Sequence, residues 1–347
     1  MKSFFLRFLL LLFPIIPQAF AQEQSPKAEK EPTEKVEEEV ADYVRYSPAA
    51  LDGDPDVLQT AVTRFQKGQV VVDLVAAVHL GDADYFKSLN TLFESYDAVL
   101  YELVGGKFQD RDPNAAADPD NPLSGLSGIQ GMASKILGLE FQLTGINYDA
   151  PNFVHADVDH EQFQALMAAK NESLSTLMTR AMDLAQSGKM PGLPTDEAAM
   201  SQMMGMLMTA VMSGDSATLK RTIAPFLSES EALIAQMEGD DGTVLVGERN
   251  KVVMTKLSEV IAENSDQKGK FAIFYGAGHM PDLEERLIAD GYTKGTVAWA
   301  NAWKITDTPA DPSAPAAATN LFQEIIGNNP EILNLIQELG KAVQEGQ

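Results

Sequence analysis

The chain has 347 residues, with 26 basic and 50 acidic side chains, a formal net charge of −24 at pH 7 and no cysteine. Such a field repels nucleic acid and anionic lipid and draws in cations, so no nucleic-acid partner is expected. The missing thiols exclude a disulfide-stapled scaffold and a cysteine nucleophile, and the length suits one large domain carrying an insertion.

In chain order, residues 1–21 read as a secretory signal peptide. Lys2 and Arg7 form its positive end, an apolar stretch follows, and Ala19-Phe20-Ala21 is a small-x-small pattern with cleavage expected after Ala21. Pro14 and Pro17 interrupt that stretch, which is already shorter than the roughly 20 apolar residues of a membrane span. The expected destination is the periplasm or the exterior, with no stable membrane span after cleavage. Residues 22–42 are an acidic leader with little to bury and are expected to be disordered.

Residues 43–305 are expected to form an α/β domain, a mostly parallel sheet with flanking helices and a helical, Met-rich insertion at about 161–240. Residues 69–78 (QVVVDLVAAV) are a continuous β-branched run, the pattern of a buried parallel strand. Apolar residues at three- and four-residue spacing make 83–95 an amphipathic helix, and 97–103 (DAVLYEL) is a second strand, completing a βαβ unit. Residues 105–128 are rich in Gly, Pro, Asp and Asn and read as a loop, and 152–156 as a short strand.

From 161 to 237 the pattern is helical, broken at 188–194 and at Gly214-Asp215, and ten of the 15 methionines lie between Met167 and Met212. A methionine-rich helix can line a surface that adapts to apolar partners, but an ordinary helical core explains the same composition. Residues 244–263 read as one helix and 270–275 (KFAIFY) as a strand. Pro281 and the acidic residues after it then start a helix that Gly291 stops, and 296–305 is a final strand. Residues 306–319 form a Pro/Ala-rich linker and 320–347 a helical tail.

Two of the four histidines sit in matched settings: Ala76-Ala77-Val78-His79 and Gly276-Ala277-Gly278-His279 each end an apolar strand and precede a helix start. Ligands of an open parallel sheet bind beyond the carboxyl ends of its strands. His79, Glu102 at the end of the second strand, and His279 should therefore share one sheet edge. Two imidazoles and a carboxylate are a common divalent-metal set that leaves a position for water. A lone histidine in such a turn is more often a structural residue bonded to a local carbonyl, and it is the coincidence of three strand ends that raises the metal reading.

Glu102 lies in an apolar strand and needs a cation or several donors. Arg249, in Gly247-Glu248-Arg249-Asn250, could pair with it or hold a substrate oxyanion, with Asn250 as a neutral donor; an ordinary surface ion pair is the plain alternative. His155, Asp157 and His160 form a third cluster, of which His155 and Asp157 are expected behind the primary ligands or at the substrate, and Asp159 as a helix cap. The sequence has no Gly-x-Ser-x-Gly elbow, phosphate-binding P-loop or His-Glu-x-x-His helix.

These pieces resemble the TraB/PrgY/GumN family, which includes the Tiki-type metalloproteases and is distantly similar to erythromycin-esterase-like and haem-binding ChaN-like proteins. The likeness covers about residues 65–305 and rests on Ala76-x-x-His79, Glu102 in LYELV, Arg249 in GERN and Gly276-Ala277-Gly278-His279. Ala76 stands where the family usually has glycine. The resemblance implies a metal-dependent hydrolase, peptidases included, acting on a peptide or small-molecule substrate. In this reading the ligands are His79, Glu102 and His279 and the cation Mn, Co or Zn; as catalytic residues, Glu102 ligates the metal or takes the proton from its water, and Arg249 orients Glu102 or the substrate. Competing expectations are a non-catalytic peptide- or ligand-binding regulatory protein of the same fold, and a haem binder.

Overall fold

The computed structural model describes residues 43–51, 53–105, 136–172, 196–229, 242–263 and 268–307, with single positions 108, 134, 176, 180 and 234. The expected signal peptide, acidic leader and helical tail, the linker past residue 307, most of the loop 105–128 and the break at 188–194 lie outside these residues.

The strands are β1 (Val44–Ser47), β2 (Asp56–Lys67), β3 (Val70–Ala77), β4 (Leu80–Gly81), β5 (Ala98–Tyr101), β6 (Glu140–Phe141), β7 (Phe153–His155), β8 (Gly269–Gly276) and β9 (Thr293–Ile305). The helices are α1 (Ala83–Phe93), the single turn α2 (Gln142–Gly145), α3 (His160–Ala169), α4 (Glu197–Ser213), α5 (Ser216–Ser228), α6 (Arg249–Glu263) and α7 (Met280–Ala289).

The fold is α/β, a mixed sheet with flanking helices. Strands β3, β8, β5 and β7 are parallel neighbours in that order. Strand β2 runs antiparallel to β3 and is long enough to take β1 beside β3 on one edge and β9 along the other. Burial follows the pairing. β3 is buried at nearly every position, as a strand covered on both faces must be, whereas β2 alternates between buried and part-exposed residues over most of its length. That alternation, spread over polar residues such as Gln59, Thr63 and Gln66, hides β2 from a search for apolar runs.

Helix α1 buries Tyr85, Phe86, Leu89 and Phe93 as one stripe, each such side chain contributing roughly 1.5–3 kcal/mol. Phe93 meets Phe274 of β8 at 4.8 Å between ring centroids, which ties the helix to the middle of the sheet. Asp159 caps α3 through a reciprocal pair with Gln162. Gly214, at φ 68°, closes α4, and Asp215 opens α5 by accepting from Thr218 N–H. No described helix is long and apolar enough to cross a membrane.

One expected helix is corrected. Residues Val244–Glu248 form a π-helical turn, and the α-helix begins only at Arg249. Val244, Leu245 and Val246 pack against Val158 and Phe163, and the wide turn leaves carbonyls for arginines: Leu245 O accepts from Arg249 Nη1 at 3.1 Å and Gly247 O from Arg286 Nη2 at 3.3 Å.

Candidate functional site

The parallel register sets the site. Ala77 of β3 lies beside Gly276 of β8, Tyr101 of β5 beside Phe274 of β8, and His155 of β7 beside Tyr101. All four strands therefore end at one edge, and His79, His279, Glu102 and Asp157 follow those ends within three residues.

Arg249 organises that edge. Its Nη2 donates to Glu102 Oε1 at 2.7 Å and to Asp157 Oδ2 at 2.6 Å, and its Nε donates to Asp157 Oδ1 at 2.9 Å. The Asp157 side chain is 0% exposed, Arg249 8% and Glu102 13%, so this is a buried two-carboxylate pair with the surface-pair alternative excluded. Of the two other roles expected for Arg249, the geometry shows ion pairing to Glu102; its donors are taken by protein atoms, so it holds no oxyanion as it stands. The second Glu102 oxygen accepts from Gly276 N–H at 2.7 Å, and a Cβ at Gly276 would lie 3.3 Å from it, so this close approach suits glycine.

Burial opposes ionisation of Glu102. The Arg249 charge, then His279 and His79, outweigh it and hold the carboxyl well below the ordinary range. Arg249 is likewise desolvated, yet Asp157 and Glu102 keep it firmly charged. Burial, with Asp157 adding to it, pushes the Tyr275 phenol well up; its neutral hydroxyl donates to Ala156 O at 2.7 Å and its ring meets the His279 ring edge-on at 5.1 Å.

Each of the two site histidines has its Nδ1 bonded to a side-chain amide. Asn250 Nδ2 donates to His279 O at 3.0 Å and to Asp282 Oδ2 at 2.6 Å, so its Oδ1 must accept from His279 Nδ1, 2.7 Å away. Gln142 Nε2 donates to Tyr148 Oη at 2.9 Å, and its Oε1 accepts from His79 Nδ1 at 3.1 Å. Both rings thus carry their hydrogen on Nδ1 and present an Nε2 lone pair. For His279 that atom lies 3.6 Å from Glu102 Oε1 and 3.3 Å from Arg249 Nη1. His79 Nε2 has no hydrogen-bond partner among the described residues. Burial lowers the His79 pKa, the Glu102 charge and the Gln142 bond offsetting part of it, so the ring is neutral at neutral pH.

The structure thus brings together His79, Glu102, His279, Arg249, Asn250 and Asp157. It does not bring His155 or His160 into contact with them. His155 Nε2 donates to Leu103 O at 2.8 Å, a strand-end bond, and His160 bonds to Gln164 one turn along α3 at 2.8 Å. Both His155 and Asp157 line a cleft of about 420 Å³ with Gln162, Leu166, Val252 and Thr255 between α3 and α6. Sequence reasoning missed Gln142, which lies 63 residues from His79 in a stretch without periodicity, and Asp282, which looked like a helix-dipole residue only. Neither left a signal in the pattern; their roles exist only through contacts.

Donor chemistry at the edge suits a divalent cation: two imidazoles, each bonded to an amide oxygen at Nδ1 so that Nε2 is the acceptor position of the ring, beside an ionised carboxylate. Among the described residues no group of three or more His, Asp or Glu side chains is already arranged to hold one. The Arg249 guanidinium sits against both Glu102 Oε1 and His279 Nε2. A cation taking both atoms competes with it.

Against known proteins, no family model matches this chain, and no curated protein and no solved structure matches it.

Proposed function

We propose that the chain is an exported metal-dependent hydrolase of the TraB/PrgY/GumN type, acting on a peptide or ester carbonyl at the edge formed by β3, β8 and β5. The observation that carries this reading is the matched pair of strand-end histidines, each with Nδ1–H bound to an amide oxygen so that Nε2 is the acceptor nitrogen; His279 Nε2 lies 3.6 Å from buried, ionised Glu102, although it now accepts from Arg249.

His79 Nε2, His279 Nε2 and Glu102 would hold a cation such as Mn, Co or Zn, which when bound supplies Lewis acidity toward a carbonyl oxygen and an acidified water. Glu102 stays ionised at neutral pH and, where it does not ligate the cation, can instead take the proton from water. Arg249 and Gly276 N–H hold the carboxylate in one orientation, and Asp157 holds Arg249. Ile234 packs at Gly278, where an added Cβ would lie 2.1 Å from its Cδ1, so an apolar side chain sits on the turn before His279.

A second reading, a peptide- or ligand-binding protein of the same fold, is favoured by the guanidinium that already saturates Glu102 and by the cleft beside Asp157. Elemental analysis of chain purified without chelator, paired with a peptide and ester panel under added Mn, Co or Zn, separates the two. Near-stoichiometric metal that is lost in His79→Ala and in His279→Ala supports the hydrolase. Metal-free protein that takes up none of the three ions, or metal retained in both variants, overturns it.

A further inference from the structure

The two site histidines are held by equivalent two-bond clamps, one through a backbone N–H and one through a side-chain amide, built from unrelated parts of the chain. Gln142 N–H donates to His79 O at 2.8 Å while its Oε1 accepts from His79 Nδ1 at 3.1 Å. Asn250 Nδ2 donates to His279 O at 3.0 Å while its Oδ1 accepts from His279 Nδ1 at 2.7 Å. In each case one residue grips both the backbone carbonyl and the ring of a histidine that follows a parallel strand. One clamp comes from α2, at the start of a helical turn; the other comes from α6, just past the π-helical turn.

We infer that Gln142 is a positioning residue for His79, the counterpart of Asn250 at His279, and that the pair fixes both imidazoles as Nδ1–H tautomers with the Nε2 lone pairs presented to the Glu102 edge. An amide is the suitable chemistry for this task. Its oxygen accepts the Nδ1 hydrogen firmly enough to fix the ring but carries no charge that would favour imidazolium, so the lone pair on Nε2 is kept. A carboxylate at either place would fix the same tautomer and favour the charged ring.

Gln142 is itself fixed. It is 3% exposed, its Nε2 donates to Tyr148 Oη, and the Tyr148 ring lies on Phe108 at 4.8 Å and against Tyr101 of β5 at 5.1 Å. The clamp on His79 is thereby tied to the strand that ends in Glu102. The functional weight of this inference rests on the proposed hydrolytic site, but the tautomers are a property of the folded chain alone.

With four histidines in the sequence, ring-nitrogen NMR of ¹⁵N-histidine-labelled, chelator-treated protein reads each tautomer directly. His79 and His279 should appear as Nδ1–H, and His155, which donates from Nε2 to Leu103 O, as Nε2–H in the same spectrum. Gln142→Leu should move only His79, toward the Nε2–H form, and Gln142→Glu should restore Nδ1–H. In calorimetric titration with Zn or Mn, Gln142→Leu should weaken binding roughly 10–100-fold, the usual effect of losing a partner behind a histidine ligand. A wild-type His79 in the Nε2–H form, or a His79 signal unmoved in folded Gln142→Leu, overturns the inference. If Gln142→Leu does not fold, the wild-type tautomers decide alone. Because the spectrum is taken without metal, a wrong tautomer and a failed metal reading are distinguishable.

Discussion

Asp157→Asn changes one buried oxygen into an amide nitrogen and tests whether the edge is held by charge. Asp157 is 0% exposed at its side chain and takes two bonds from Arg249, at 2.9 and 2.6 Å, and one from Val158 N–H at 2.8 Å. In the asparagine variant Oδ1 can keep the Val158 and Arg249 Nε bonds. Its Nδ2, however, then faces Arg249 Nη2 with donor against donor at the 2.6 Å position. The guanidinium is left with Glu102 as its only carboxylate. Losing a charge-assisted bond, together with half the compensation of a buried cation, costs about 3 kcal/mol, at the lower end of values for breaking buried pairs. For a domain of this size that is a fall in Tm of roughly 6–12 °C.

Urea unfolding followed by far-UV circular dichroism, at neutral pH and without added metal, gives the free energy directly. Arg249→Met, which strands both carboxylates, should cost more, about 5 kcal/mol, and the double variant less than the sum because the two residues share one network. An Asp157→Asn cost under about 1 kcal/mol, the range of an ordinary surface change, would refute the account of a charge-organised edge.

Further predictions concern the same region. His79 has a folded pKa below the ordinary imidazole value of 6.5, so its neutral form contributes stability above pH 6.5 that is lost as pH falls through the folded value. Glu102, held well below the ordinary carboxylate range, contributes stability that persists to lower pH and is lost as pH falls through its own depressed value. An NMR titration of labelled histidine should place the His79 midpoint below that of a free imidazole, and a midpoint above it would contradict the burial argument. Gly145→Ala puts a Cβ 2.6 Å from the Phe86 ring, so α2 must shift against α1, at about 1–3 kcal/mol in urea unfolding. The shift should also broaden the His79 ring signals, since α2 carries Gln142, whereas an unchanged stability would mean that the contact relaxes freely.

Much of the frame was legible before any coordinates. The β-branched run at 69–78 became β3, the stripe from Tyr85 to Phe93 became α1, and the apolar segments at 97–103 and 270–275 became β5 and β8. The matched His79 and His279 turns and the strand-terminal Glu102 pointed to one edge because parallel strands end together, and the register bears that geometry out. Strand β2 escaped because half-exposed strands alternate polar and apolar residues, and the start of α6 was misplaced because a π-helical turn has no pattern of its own.

Sequence by itself determined the period of each element, the strand ends that carry His79, Glu102 and His279, and the charge that favours a cation, since these follow from local side-chain chemistry. Only the tertiary structure decided who partners whom. Arg249 chose Asp157 and Glu102 over solvent, Gln142 closed on His79 from 63 residues away, and His155 turned to a backbone carbonyl. Those choices are made by desolvation: once the edge is buried, each polar atom must take whichever partner the fold brings within reach, and that distance is not written in any local stretch of residues.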